Sequence, residues 1–112
     1  MTCSERAKNI FSEEIAELKK LSTSIDKNFD KAVELIYACE GKLVVMGIGK
    51  TGIIGHKIAS SLASTGTSAI FVNAAEAVHG DLGMVCGKDV VLLVSNSGST
   101  NEILNVIAPL RN

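Results

Sequence analysis

The stretch Val90-Val91-Leu92-Leu93-Val94-Ser95-Asn96-Ser97-Gly98-Ser99-Thr100-Asn101-Glu102 decides how this chain is read. Five consecutive apolar residues with no polar alternation predict a strand buried on both faces, as in a parallel sheet. The run ends in a turn crowded with four hydroxyls, a glycine and an amide, and Ile103, Leu104, Val106, Ile107 and Leu110 then resume at helical spacing. A corner between the carboxyl end of a strand and the start of a helix is where open α/β sheets bind ligands. Unpaired backbone N–H groups and the positive end of the helix dipole suit such a corner to an anion, and the hydroxyls add donors. A phosphate is the expected anion. Ser99 and Glu102 also have the spacing of a capping box, which needs no ligand; capping uses one hydroxyl, however, and this turn holds four.

Upstream, the same alternation appears twice more. Leu43-Val44-Val45-Met46 reads as a short buried strand, residues 47–52 as a glycine-rich turn, and residues 53–64 as a helix closed by Gly66. Ala69-Ile70-Phe71-Val72 reads as the next strand, followed by a long connection over residues 73–87 that contains His79-Gly80-Asp81. Strands alternating with helices at this spacing predict right-handed crossovers and a three-layer αβα fold around a parallel sheet.

Two helical patterns come first. Phe11, Ile15, Leu18, Leu21, Ile25 and Phe29 recur at three- and four-residue steps, with Ser22-Thr23-Ser24 marking a break or bend. Phe29, Ala32, Val33, Ile36 and Tyr37 form a second stripe, with Gly41 placed as its terminating residue. Residues 1–40 are thus expected to form a helical arm that packs on a partner subunit or covers an edge of its own sheet. Residues 41–112 are expected to be the front part of a longer α/β domain, since a third strand and its helix leave one sheet edge open.

Composition narrows the function classes. The chain has 112 residues, 46% of them apolar and 21% charged, which suits a packed domain and argues against disorder. A formal net charge of −1 without a Lys/Arg cluster argues against nucleic acid as a partner. No apolar run approaches the ~18 residues of a membrane span, and the charged N-terminus is unlike a signal peptide. No membrane partner and a cytoplasmic location are therefore expected. Cys3, Cys39 and Cys86 are odd in number, without a CxxC pair, so reduced thiols rather than zinc or a redox motif are expected. Cys39 is placed on a helix face and Cys86 near a turn.

Gly47-Ile48-Gly49-Lys50-Thr51-Gly52 satisfies the dinucleotide GxGxxG spacing between a strand and a helix. That fingerprint also wants an acid about 20 positions on at the end of the second strand, where this chain has Asn73, with Glu76 beyond it. Gly49-Lys50-Thr51 echoes the end of a nucleotide-triphosphate loop, but Val44 stands where that loop needs its first glycine. The third reading is a backbone turn that approaches a small phosphorylated ligand, with Lys50 as a cation beside it. If the first and third strands are neighbours, this turn and residues 95–102 converge on one pocket suited to a sugar phosphate.

Four blocks, Gly47-Ile48-Gly49-Lys50-Thr51-Gly52, Ala63-Ser64-Thr65-Gly66-Thr67, Glu76-Ala77-Val78-His79-Gly80-Asp81-Leu82-Gly83-Met84 and Ser95-Asn96-Ser97-Gly98, together resemble the sugar isomerase (SIS) domain of the arabinose-5-phosphate isomerases. The resemblance implies a flavodoxin-like five-stranded parallel sheet in the order 2-1-3-4-5, here reaching only the third strand. It implies interconversion of D-ribulose 5-phosphate and D-arabinose 5-phosphate on the route to Kdo, lipopolysaccharide and capsule, without a cofactor or metal. It also implies a homo-oligomer, dimer or tetramer, with sites at subunit interfaces. It implies that Ser95, Ser97 and Thr100 bind the substrate phosphate and that Lys50 and Glu102 belong to the catalytic set; from the turns themselves Gly49 and Asn96 are expected as further phosphate contacts, and His79 as a third catalytic candidate. Ser99 departs from the acidic residue the family commonly has after Ser-Gly. A further catalytic glutamate and histidine of the family cannot be placed on these residues, so the chain alone is expected to be inactive.

For aldose–ketose isomerisation, Glu102 is the candidate carbon base and Lys50 the candidate stabiliser of the enediolate oxygen. His79 is suited to move the oxygen proton or open the sugar ring, with a loop-fixing hydrogen bond to Asp81 as the competing role. The same domain also serves as a non-catalytic phosphosugar sensor in regulators, and as an isomerase of hexulose phosphates. Regulators of that kind carry a basic DNA-binding domain ahead of the sugar domain, whereas these leading helices are not basic.

Overall fold

The computed structural model describes residues 1–77, 79–97 and 101–111, the side chains of Glu102, Ile103 and Arg111 excepted. The chain divides into two units, residues 1–34 and 35–112. In the first, helix α1 (Cys3–Ser24) opens with a capping box: Thr2 Oγ1 accepts from the Glu5 N–H at 3.1 Å, and Glu5 Oε2 accepts from the Thr2 N–H at 2.7 Å. It ends where the hydroxyl cluster predicts, with Thr23 and Ser24 donating back to the carbonyls of Lys20 and Leu21. Asp26 Oδ1 then accepts from the Asn28 N–H and starts α2 (Lys27–Tyr37), whose last turn belongs to the second unit.

The second unit is an αβα sandwich. Strands β1 (Leu43–Gly47), β2 (Ala69–Asn73) and β3 (Val90–Leu93) form a parallel sheet in the order β2-β1-β3. β1 is fully buried because it is central and covered on both faces, which explains its unbroken apolar run. Side chains alternate across it. Val44 and Met46 join Val72, Ala74, Ala77 and Val106 on the face covered by α4 (Ala74–Ala77) and α5 (Asn101–Arg111). Leu43 and Val45 join Ala59 on the opposite face, under α3 (Lys50–Ser64), with Ile36 of α2 packed beside them. A short 3₁₀ turn (Asp81–Met84) follows α4 and leads towards β3.

Three local expectations are corrected. The helix after β1 starts at Lys50, three residues earlier than the apolar pattern suggests, so Lys50, Thr51 and Gly52 are helical. Gly41 does not end α2: its N–H donates to the Lys88 carbonyl at 3.1 Å, and its bare α-carbon sits against Lys88 and Asp89, where a side chain has no room. Cys39 is not on a helix face but in the turn beyond α2, its thiol 3.4 Å from the Lys88 carbonyl and 3.6 Å from that of Lys42. Gly66 does terminate α3 as expected, at φ 100°, with the Thr67 N–H closing onto the Leu62 carbonyl at 2.9 Å.

Candidate functional site

All three strands point the same way, so the residues that follow them share one end of the sheet. The turn after β1 is built around two glycines with different jobs. Gly47 is the last residue of β1, and a Cβ there would lie 2.6 Å from the Thr51 carbonyl oxygen, so the first turn of α3 crosses directly over the strand end. Gly49 is the helix N-cap at φ 58° and ψ −127°, a conformation for which only glycine is suited. Because Gly49 has no side chain to cap the helix, Thr51 ties the turn instead: its Oγ1 accepts from the Ile48 N–H at 3.1 Å and donates to the Ile48 carbonyl at 2.8 Å. Lys50 is the first helical residue and is exposed.

The second turn lies beside the first because β3 is β1's neighbour. Pairing continues one residue past β3, where the Val94 N–H donates to the Met46 carbonyl at 2.8 Å. Ser95 is therefore half-buried next to the end of β1, while Asn96 and Ser97 are exposed. The topology thus brings Gly49 and Lys50 to the same corner as Ser95, Asn96 and Ser97. α5 begins at Asn101, with the backbone of Glu102 in its first turn. The side chain of Glu102, the expected capping partner Ser99, and Thr100 lie outside the described residues.

His79 lies in the connection after β2, beyond α4. Its N–H donates to the Glu76 carbonyl at 3.0 Å, and its exposed imidazole forms no hydrogen bond to Asp81, so the loop-fixing role is not seen. Asn73, where a dinucleotide site would want an acid, uses its Oδ1 to accept from the Ala75 N–H at 2.9 Å and thereby starts α4. That assignment weakens the dinucleotide reading further. An open groove of about 460 Å³ lies on the other flank of Gly49, between α3 and β2, lined by His56, Lys57, Phe71 and Asn73. It shares Gly49 with the β1/β3 corner, and the corner is preferred because Ser95, Asn96 and Ser97 converge there with Lys50. Among the described residues, no group of His, Cys, Asp or Glu is arranged to hold a metal ion, and no helix is long and apolar enough to cross a membrane.

Two features away from this corner escaped the sequence reading. Asp89, just before β3, accepts from both the backbone N–H and the ammonium of Lys42, just before β1. Gly55 of α3 packs against Phe71 and Val45, a close helix-to-sheet approach that a larger residue would obstruct.

Known proteins share this arrangement. The SIS domain family matches residues 36–112. Arabinose 5-phosphate isomerase KdsD of Yersinia pestis is 50% identical over 107 residues, which is 96% of this chain and 33% of that protein. Arabinose 5-phosphate isomerase GutQ of Escherichia coli K12 is 52% identical over 96 residues, 86% of this chain and 30% of that protein. The chain spans about a third of the length of the curated relatives it matches. Among solved structures, c3406 of Escherichia coli CFT073 in complex with arabinose 5-phosphate superposes with a TM-score of 0.83 at 44% identity, covering 99% of this chain and 61% of that one. A parallel β2-β1-β3 sheet with phosphate-suited turns at its carboxyl end, and a family match over residues 36–112, establish that the chain belongs to the SIS domain family.

Proposed function

We propose that this chain supplies the phosphosugar-binding front of an aldose–ketose isomerase that interconverts D-arabinose 5-phosphate and D-ribulose 5-phosphate, a step towards Kdo and capsular sugars. The observation that carries the reading is the convergence of the Gly49-Lys50 turn and the Ser95-Asn96-Ser97 turn at neighbouring strand ends. The relatives named arabinose 5-phosphate isomerase support the choice of sugar.

In the proposed reaction, the substrate phosphate is held by the hydroxyls of Ser95, Ser97 and Thr100, the amide of Asn96 and backbone N–H groups at Gly49 and at the start of α5. Glu102 takes the proton from C2 of the aldose and returns it to C1, so the bond pair passes through a 1,2-enediolate. Lys50 offers its ammonium to the oxygen on which the negative charge develops. His79 moves the proton between the two oxygens, a task suited to an imidazole whose ordinary pKa is near neutrality. The scheme calls for no cofactor and no metal. The protein is proposed to act as a homo-oligomer in the cytoplasm.

The test is an isomerase assay on the protein at its full encoded length, with arabinose 5-phosphate as substrate and ribulose 5-phosphate read out, alongside calorimetric titration of the same sugar. Turnover that falls to a small residual rate in Lys50→Ala supports the assignment. Binding without turnover would favour a phosphosugar sensor, and neither binding nor turnover would reject the reading.

A further inference from the structure

We propose that Thr51 is the positioning residue of this site, fixing where the Lys50 ammonium is presented; the inference rests on the role given to Lys50 above. The turn from β1 to α3 has to hold a long, exposed and rotamer-rich side chain over the sheet end, and Gly49 beside it contributes no side-chain contact. Two constraints supply the rigidity. At one end, the bare α-carbon of Gly47 lies so close under the Thr51 carbonyl that the helix cannot shift towards the strand. At the other, a single oxygen, Thr51 Oγ1, satisfies both backbone groups of Ile48, accepting from its N–H at 3.1 Å and donating to its carbonyl at 2.8 Å. The backbone of Lys50 is held between these two fastenings.

The same geometry argues against Thr51 touching substrate. A hydroxyl has one proton, and here that proton is committed to the Ile48 carbonyl, while Ile48 N–H occupies an acceptor position. Thr51 is also half-buried, whereas Lys50 is exposed. It therefore acts through Lys50. A valine at this position keeps the shape and loses both hydrogen bonds, leaving the Ile48 N–H and carbonyl to find water or to rearrange the turn.

The experiment uses the protein at its full encoded length. Thr51→Val is expected to lower kcat by about ten- to a hundredfold, the scale on which a misplaced group slows a reaction, with KM moving by less than about threefold. Thr51→Ser retains the hydroxyl and is expected to restore most of the rate. In a Lys50→Ala background, where only a residual rate measured at high enzyme concentration remains, Thr51→Val is expected to add nothing further, which a merely structural role would not produce. Should Thr51→Val fail to fold, Thr51→Ala with the same serine control gives the same comparison. Loss of activity in Lys50→Ala with a wild-type rate in Thr51→Val overturns this inference alone. Wild-type activity in Lys50→Ala overturns the reading of Lys50, and the inference falls with it. An equal loss from Thr51→Val in both backgrounds assigns Thr51 to the fold rather than to Lys50.

Discussion

Asp89 Oδ2 lies 2.7 Å from Lys42 Nζ, and the two residues stand immediately before β3 and β1, so one ion pair fastens the entrances of two neighbouring strands. The carboxylate is fully engaged. Its Oδ1 also accepts from the Lys42 N–H at 2.9 Å and its Oδ2 from the Cys86 N–H at 2.7 Å, with only 2% of the side chain exposed. The Lys42 ammonium, then the backbone donors, hold the Asp89 carboxyl well below the ordinary carboxylate range, at about 2, and Asp89 in turn raises the Lys42 pKa.

Because the folded-state pKa of Asp89 is depressed, its contribution is complete above the ordinary carboxylate pKa and is lost as the pH falls from about 4 towards 2. Asp89→Asn is expected to lower the melting temperature at neutral pH and to flatten the acid side of the stability profile. Removing the exposed pair Lys88–Glu40, with side chains 76% and 74% exposed, is expected to change stability by less than about 0.5 kcal/mol. Thermal melts of both variants from pH 2 to pH 7 check this; equal effects from the two pairs would contradict it.

Gly47 and Gly49 are separable by substitution. A Cβ at 47 meets backbone atoms of Thr51 and Gly52 that cannot rotate away, so Gly47→Ala is expected to cost about 1–3 kcal/mol and to displace the start of α3. At 49 nothing stands within van der Waals reach, and the cost of Gly49→Ala, of similar order at about 1–3 kcal/mol, comes from backbone strain at φ 58°. Gly49→Asn is expected to cost about as much as Gly49→Ala, because φ 58° with ψ −127° lies outside the left-handed helical region that asparagine tolerates, whereas Gly47→Asn is expected to be worse than Gly47→Ala, since a larger side chain meets the same backbone atoms. Chemical denaturation of the four variants gives the comparison.

What could be read from the sequence follows from the range of the interactions involved. The sheet and its two covered faces were legible because a doubly buried strand must be apolar at every position, as Val44, Val45 and Met46 are. The site corner was legible because hydroxyls and glycines cluster where a strand hands over to a helix, at Gly49 and again at Ser95. The start of α3 was placed too late because Lys50, Thr51 and Gly52 carry no apolar stripe, and their helical state shows only in the backbone, where the Ile53 N–H donates to the Gly49 carbonyl at 3.2 Å. The Asp89 clamp was invisible because its partner is 47 residues away and meets it only through the register Leu43↔Val90. Gly41 was misread for the same reason: its glycine is demanded by Lys88 and Asp89, not by the helix before it.

Glu102 distinguishes a chemical role from a capping one. It follows the anion-suited turn at the head of α5, where glutamine caps nearly as well as glutamate. If it is the carbon base, Glu102→Gln in the protein at full encoded length is expected to lower kcat by about 10²–10⁴ while leaving the melting temperature near wild type. A rate close to wild type would leave only the capping role.

The first 34 residues carry the last prediction. Along α1, Phe11 is 68% exposed, Leu18 63% and Leu21 57%, and none of the helix's residues is buried. Complete burial of each such side chain is worth about 1.5–3 kcal/mol, so a stripe of them favours association strongly enough to offset the entropy of bringing copies together. The 112-residue chain is therefore expected to self-associate, and Leu18→Glu with Leu21→Glu is expected to shift it towards monomer, because two charges in the stripe must be desolvated on contact. The two substitutions lie on α1, which supplies no residue of the candidate corner, so arabinose 5-phosphate binding per chain should be retained wherever the corner alone suffices for it. Turnover by the isolated chain is expected to be negligible in either form, since the family resemblance calls for a second glutamate and histidine that cannot be assigned among these residues. Sedimentation velocity at high micromolar concentration decides the first point: a wild-type chain that stays monomeric contradicts it. Efficient formation of ribulose 5-phosphate by the same sample contradicts the second.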